Sequence, residues 1–213
     1  MKLLAVNGSP RKNKNTAQLL NEIVAGAASR RADTELVHLI DLNYSGCVSC
    51  FLCKRLGGKS YGRCAVNDDL AAILRKAHEA DVLVVGTPFY FCAETASTRA
   101  FLERLWFQYY LYSAVKPPLS PRKKATALVY TMNVPEEKME TFGKTPVVNR
   151  AKSVMEHLFA PCEVLLCCDT KQFDDYSQYD TDIWDVSAKL KRHEEVFPQE
   201  LAQAHKLGES LVS

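Results

Sequence analysis

Cys47, Cys50 and Cys53 recur every third residue, and Cys64 follows after ten more, so the pattern is C-x2-C-x2-C-x10-C. Thiolates spaced this way form a tight fork. They suit three corners of a [4Fe–4S] cube with a fourth ligand nearby. Four thiolates also suit tetrahedral zinc, although structural zinc usually pairs two C-x2-C knuckles, and free or redox-active thiols are the third reading. A second set lies near the start, in Gly8-Ser9-Pro10-Arg11-Lys12-Asn13-Lys14-Asn15-Thr16. Ser9, Asn15 and Thr16 bring hydroxyl and amide donors, and Arg11, Lys12 and Lys14 bring positive charge, which together suit a phosphate. A third set is Pro88-Phe89-Tyr90-Phe91. Here flat apolar surface follows a residue with fixed φ and no N–H.

These residues need elements to position them. Residues 3–6 are an apolar run, as in a strand buried on both faces, and turn residues break the pattern at 7–10. From Thr16 the apolar residues Leu20, Ile23, Val24 and Ala27 have helical spacing, with Asn15 or Thr16 as N-cap, and the helix runs to about Arg30. A strand, a polar loop and a helix N-terminus offer free N–H groups and the positive end of the helix dipole to an anion. The loop is neither of the two commonest phosphate motifs. Gly8 is its only glycine, and no Gly-Lys-Ser/Thr closes it.

Further on, residues 34–40 alternate like an edge strand. A long Gly- and Cys-rich loop spans about 41–66, a length that argues for function. A helix capped by Asn67-Asp68-Asp69 follows, then a central strand at 81–86, a helix from about 94 to 112, and a Pro-rich linker at 116–121. The remaining expectations are a strand at 125–130, a helix at 144–159, a strand at 164–168, a polar excursion at 171–186 and a last helix at 199–212. Five strands alternating with helices predict a doubly wound parallel sheet.

At 213 residues with 47% hydrophobic content, the chain suits one α/β domain over 1–213, with the cysteine loop and the polar excursion as insertions. A net charge of +2 argues against an extended nucleic-acid surface, and no apolar run approaches a membrane span. No leader pattern opens the sequence, so a cytoplasmic location is expected, where eight cysteines are ligands, redox groups or core fillers rather than disulfides. None of the five histidines sits in a recognisable motif.

The loop G-S-P-R-K-x-x-N-T after the first strand resembles the FMN-phosphate loop of flavodoxin-like NAD(P)H-dependent flavin reductases. Thr87-Pro88-Phe89-Tyr90, followed by Arg99-Ala-Phe101-Leu-Glu103-Arg104, resembles that family's flavin-ring segment, S/T-P-x-Y then K/R-x-F-x-D/E-R. The resemblance implies an α/β, flavodoxin-like fold with strand order 2-1-3-4-5 and a crevice where strands one and three diverge. It implies FMN held by Ser9, Arg11, Lys12, Asn15, Thr16, Pro88, Phe89, Tyr90 and Phe91, with NAD(P)H as donor. Cysteines at this position resemble the iron–sulfur flavoprotein branch, whose motif is C-x2-C-x2-C-x4–7-C. That implies a [4Fe–4S] cluster on Cys47, Cys50, Cys53 and Cys64, although the last spacing here is longer.

The chemistry then belongs to the flavin, and no catalytic side chain is expected. Electrons would pass to a ferredoxin-type carrier or a small-molecule acceptor. A cluster-free quinone, flavin or nitroaromatic reductase is the alternative, and a non-catalytic electron carrier is the rival. The stretch Phe101 to Tyr112 is apolar almost all round, which predicts a homodimer or homotetramer formed partly through Trp106, Phe107 and Tyr110.

Overall fold

The computed structural model describes residues 1–120, 123–159 and 161–213. Pro121, the last residue of the Pro-rich linker, lies outside them. Five strands run parallel: β1 Lys2–Asn7, β2 Asp33–His38, β3 Val82–Tyr90, β5 Ala125–Thr131 and β6 Cys162–Cys167, in the order β2-β1-β3-β5-β6. Counted along the parallel strands, this is the flavodoxin-like order. A sixth strand, β4 Ala93–Glu94, is additional to the five expected and pairs antiparallel with the end of β3.

Side-chain alternation sorts the core. Leu4, Val6, Leu83, Val85 and Leu128 face α2 (Asp69–Glu79), α3 (Ala96–Tyr109) and α4 (Lys144–Leu158). Leu3, Ala5, Val82, Val84, Ala127 and Val129 face α1 (Asn15–Ser29) and α6 (Phe197–Leu211). Central strands buried on both faces read as continuous apolar runs. Edge strand β2 does not, and it ends two residues early, where a 3-10 turn tucks Leu39 in and leaves Ile40 exposed.

Three expectations need correction. The strand after α2 does not end at Gly86: β3 continues through Thr87-Pro88-Phe89-Tyr90, with Pro88 beside Thr131 of β5. The helix expected to reach Tyr112 stops at Tyr109. The region before the last helix holds another helix, α5 Val186–Glu195. The Asp185 carboxylate caps it by accepting the Ala188 N–H, and Lys189 and Arg192 pair with Asp169 and Glu200. Its polar composition hides it, because its buried face is built from ion pairs rather than apolar residues.

The further apolar faces of α3 find partners within the chain. The Trp106 indole N–H points at the Met155 sulfur at 3.2 Å, and Phe107 packs edge-on to Phe51 beneath the Lys54 amine. Tyr110 and Tyr112, just past the helix, stay exposed. Among the described residues no helix is long and apolar enough to cross a membrane.

Helix α6 crosses α1 with backbone against backbone. A Cβ at Gly26 would lie 2.0 Å from the His205 carbonyl oxygen, and one at Gly208 would lie 2.0 Å from that of Ile23. Alanine normally gains ~1 kcal/mol over glycine inside a helix, but overpacking costs ~1–3 kcal/mol. Gly26→Ala and Gly208→Ala should each lower stability by about 2 kcal/mol in urea unfolding. Unchanged or raised stability would show that the two helices separate freely.

Candidate functional site

A cavity of about 230 Å³ opens at the carboxyl ends of β1, β3 and β5. Ser9, Arg11, Asn15 and Thr16 line it from the first loop, and Pro88, Phe89, Tyr90 and Phe91 from the end of β3. Eight of the nine residues expected to bind the cofactor are thus brought together. Lys12 is not among the lining residues; its amine pairs with Asp41 at 2.8 Å in solvent. Lys14 lines the cavity, as do Thr131, Met132, Asn133, Thr170 and Gln172. The last five come from the end of β5, the residues just after it and the segment after β6, which no local motif marks.

The loop is held from beneath. The Asn7 side chain is fully buried, accepts the Ser9 N–H at 3.0 Å and donates to His38 Nδ1 at 2.9 Å. His38 must therefore be neutral at Nδ1, and its pKa is lowered by burial and by nearby Lys12. The Gly8 N–H donates to the Gly86 carbonyl at 2.8 Å, and Thr95 Oγ1 donates to the Gly8 carbonyl at 2.8 Å. Gly8 has to be glycine, because a Cβ there would sit 1.7 Å from Thr98 Oγ1. The residue capping α1 is Lys14, not Asn15 or Thr16, and its side chain caps nothing. The first-turn N–H groups are left for an anion. Thr16 Oγ1 lies 2.7 Å from Thr131 Oγ1, tying the helix start to β5.

A strap from the polar excursion closes over this loop. Asn15 Nδ2 donates to the Lys171 carbonyl at 2.9 Å, Arg11 Nη1 to the Gln172 carbonyl at 2.8 Å, and Lys14 pairs with Asp174 at 2.6 Å. Aromatic stacking stiffens the strap: the Phe173 and Tyr179 rings lie 3.9 Å apart and nearly parallel.

The β3–β4 hairpin forms the opposite wall. Phe91 (φ 49°) and Cys92 (φ 62°) both occupy the left-handed region at its tip. Such a two-residue turn matches strand twist but normally takes Asn or Gly. Two non-glycine residues there mark local strain of a kind that clusters at functional sites. The turn projects Phe91 wholly into solvent at the cavity mouth.

Cys47, Cys50, Cys53 and Cys64 all line a second cavity, of about 20 Å³, with Arg104, Phe107 and Gln108 of α3. The long last spacing is absorbed by successive turns, and the Gly62 N–H donates to the Cys53 carbonyl at 2.9 Å, which brings Cys64 back. Burial raises the Cys53 pKa, and charge on the other three thiols raises it further, against the opposing pull of Lys54. Among the described residues no three His, Cys, Asp or Glu side chains stand close enough to hold one metal ion. Arg104, the last residue of the F-L-E-R motif, lies under this loop and not among the residues lining the first cavity. Its guanidinium binds the Ser45 and Val66 carbonyls at 3.2 Å each and Asp68 at 2.5 Å, so it joins the two ends of the cysteine loop.

Comparison with known proteins finds relatives of two kinds. An iron–sulfur flavoprotein of Methanocaldococcus jannaschii is 34% identical over 104 residues, 49% of this chain and 51% of that protein. One from Archaeoglobus fulgidus is 38% identical over 104 residues, 49% of this chain and 48% of its own length. The chain thus spans about half the length of these curated relatives. In structure, a NAD(P)H:quinone oxidoreductase from Methanothermobacter marburgensis superposes with a TM-score of 0.69 at 13% identity, covering 99% of this chain and 98% of its own. An FMN-dependent NADH-azoreductase from Bacillus anthracis, in complex with FMN, gives 0.69 at 10% identity over the whole of both chains. At such identities these two likenesses show the fold alone. The family model for NADPH-dependent FMN reductase matches residues 1–134, which include the anion loop, the cysteine loop and the aromatic hairpin. The chain belongs to the NADPH-dependent FMN reductase family.

Proposed function

We propose that the chain is an FMN-dependent oxidoreductase of the iron–sulfur flavoprotein type. The observation that carries this reading is that the anion loop and the aromatic hairpin, 72 or more residues apart in sequence, line one cavity. That cavity lies where the strand order reverses, the usual ligand crevice of open α/β sheets. The residues fit the cofactor: Arg11 and Lys14, the uncapped start of α1 and the Thr16 hydroxyl suit its phosphate. Pro88, Phe89, Tyr90 and Phe91 offer its ring apolar surface. When bound, FMN supplies hydride and single-electron transfer, with NAD(P)H as donor.

The chain's part is binding and exclusion. The chemistry belongs to the flavin, and the residues lining the crevice are assigned binding roles. Asn7 and His38 hold the loop in shape before any ligand arrives, which lowers the ordering cost of binding. Arg11, Lys14 and Asn15, which the strap holds, would hold the phosphate. The hairpin covers one side of the ring site and keeps solvent from it.

The four cysteines fit a [4Fe–4S] cluster, which supplies single-electron exchange with a carrier or a small acceptor. A zinc ion would draw its thiolates to within bonding distance of one point. These four instead surround a cavity, and they must move outward to admit a cube; Cys50 at the rim is exposed. A cluster-free NAD(P)H-dependent reductase is the second reading, favoured by the small present volume of that cavity. A homo-oligomer would bury Tyr110 and Tyr112.

Each charge-assisted contact to phosphate is worth roughly 1.5–3 kcal/mol. Arg11→Ala and Thr16→Ala should therefore weaken FMN binding by about 10- to 100-fold, while riboflavin, which lacks the phosphate, binds as before. Fluorescence titration with both ligands reads the difference, and equal losses would move the phosphate elsewhere. Anaerobic reconstitution should give about four irons per chain, sharply fewer in Cys64→Ala and no fewer in Cys162→Ala. An iron-free wild type carrying FMN would establish the second reading.

A further inference from the structure

Among the described residues three buried side-chain polar atoms have no hydrogen-bond partner: Asp68 Oδ1, Arg104 Nε and Gln108 Nε2. An unpaired buried donor is costly, and folded proteins keep few of them without a reason. Both unpaired donors belong to residues lining the cavity that the four cysteines surround.

Neither donor arrived there by a loose side chain. Arg104 and Gln108 lie four residues apart on α3 and so share a face, and both are almost wholly buried. Gln108 Oε1 accepts the Cys64 N–H at 3.0 Å, which fixes the amide and commits Nε2 as its donor side. Arg104 has Nη1 and Nη2 occupied by Ser45, Val66 and Asp68, which fixes the guanidinium plane and leaves Nε over. The neighbouring cation cannot serve, because the Lys54 amine is turned onto the Phe107 carbonyl and ring. The Arg104 guanidinium already interacts with the Cys64 thiol, but thiol sulfur is a weak acceptor, and in the absence of a bound group Arg104 Nε and Gln108 Nε2 have no hydrogen-bond partner. Thiolate and sulfide sulfurs carrying net negative charge are the acceptors this pair lacks.

We propose that Arg104 Nε and Gln108 Nε2 donate hydrogen bonds to the sulfurs of a cysteine-bound [4Fe–4S] cluster, acting as positioning residues that raise its reduction potential and its retention. The inference rests on the cluster reading given above. Reduction adds an electron to an already anionic group, so donors aimed at its sulfurs favour the reduced form more than the oxidised one. Removing a donor lowers the potential.

The test uses full-length protein reconstituted anaerobically with iron and sulfide, and compares wild type with Gln108→Glu, Gln108→Leu and Arg104→Lys. Gln108→Glu keeps an acceptor for the Cys64 N–H but loses the donor and can add a negative charge, whereas Gln108→Leu loses the donor without the charge, so a shift shared by both reads the lost donor. Iron per chain, the rate of iron loss to a chelator, and the midpoint of the electron paramagnetic resonance signal in a redox titration are read together. Both Gln108 variants should load iron, lose it about tenfold faster, and titrate at a potential lower by about a tenfold change in equilibrium constant, ~59 mV for one electron. Arg104→Lys should shift in the same direction. If circular dichroism shows that it does not fold, the Gln108 pair decides the question. A loaded wild type whose Gln108 variants keep its potential overturns the inference and leaves the cluster reading standing. A wild type that takes up no iron overturns both.

Discussion

The buried guanidinium of Arg104 is the constraint around which one half of the molecule is arranged. A charge with only 1% of its surface exposed is tolerable only if it is paired and hydrogen-bonded. Asp68 supplies the opposite charge, and the carbonyls of Ser45 and Val66 supply the rest. Burial works against the charge, yet the bonds to Asp68 and the influence of Cys64 more than offset it, so the Arg104 pKa is raised. Asp68 is in turn held below the usual carboxylate range: its own burial opposes this, but Arg104 and two backbone N–H groups outweigh it. Because Ser45 precedes the first cysteine of the loop and Val66 follows the last, one side chain clamps both ends of a segment with hardly any apolar core. Of its four cysteines only Cys53 is buried.

The other half is organised by satisfied hydroxyls. Thr87, Thr95 and Thr98 form a buried chain under Gly8, with Thr95 Oγ1 2.8 Å from Thr98 Oγ1 and Thr98 Oγ1 3.0 Å from Thr87 Oγ1. Thr95 also caps α3 by accepting the Thr98 N–H. The start of α3 and the anion loop are therefore one hydrogen-bonded unit, and Arg104 sits two turns further along the same helix. Both candidate sites draw on α3, one at its beginning and the other in its second half.

Much of this was legible in the sequence. The apolar runs of the central strands, the alternation of β2 and the punctuation at Asn7–Pro10 each had one structural meaning. The spacing to Cys64 left its relation to the other three cysteines open; the fold brings all four to the lining of one cavity. The strap was not legible: its hold on the loop is made by the backbone carbonyls of Lys171 and Gln172, and any residue has a carbonyl. Helix α5 was missed because ion pairs replace its apolar stripe. Arg104 was noticed only as part of a motif resembling a flavin-ring segment, since its identity says nothing about which loop it supports. Lys12 and Lys14 differ by a single turn of the chain, too little for spacing to say which one faces inward.

The close crossing of α1 and α6 couples two distant parts of the chain thermodynamically. The first turn of α1 is the proposed phosphate site, and the far end of that helix leans on α6 through Gly26 and Gly208 with no side chain between them. Whatever ligand fastens residues 9–16 lowers the free energy only of states in which α1 is docked, and α1 cannot dock fully against a frayed α6. By linkage, occupancy of the crevice slows hydrogen exchange in residues 197–211, which lie outside its lining. The last helix thereby becomes a remote reporter of cofactor binding.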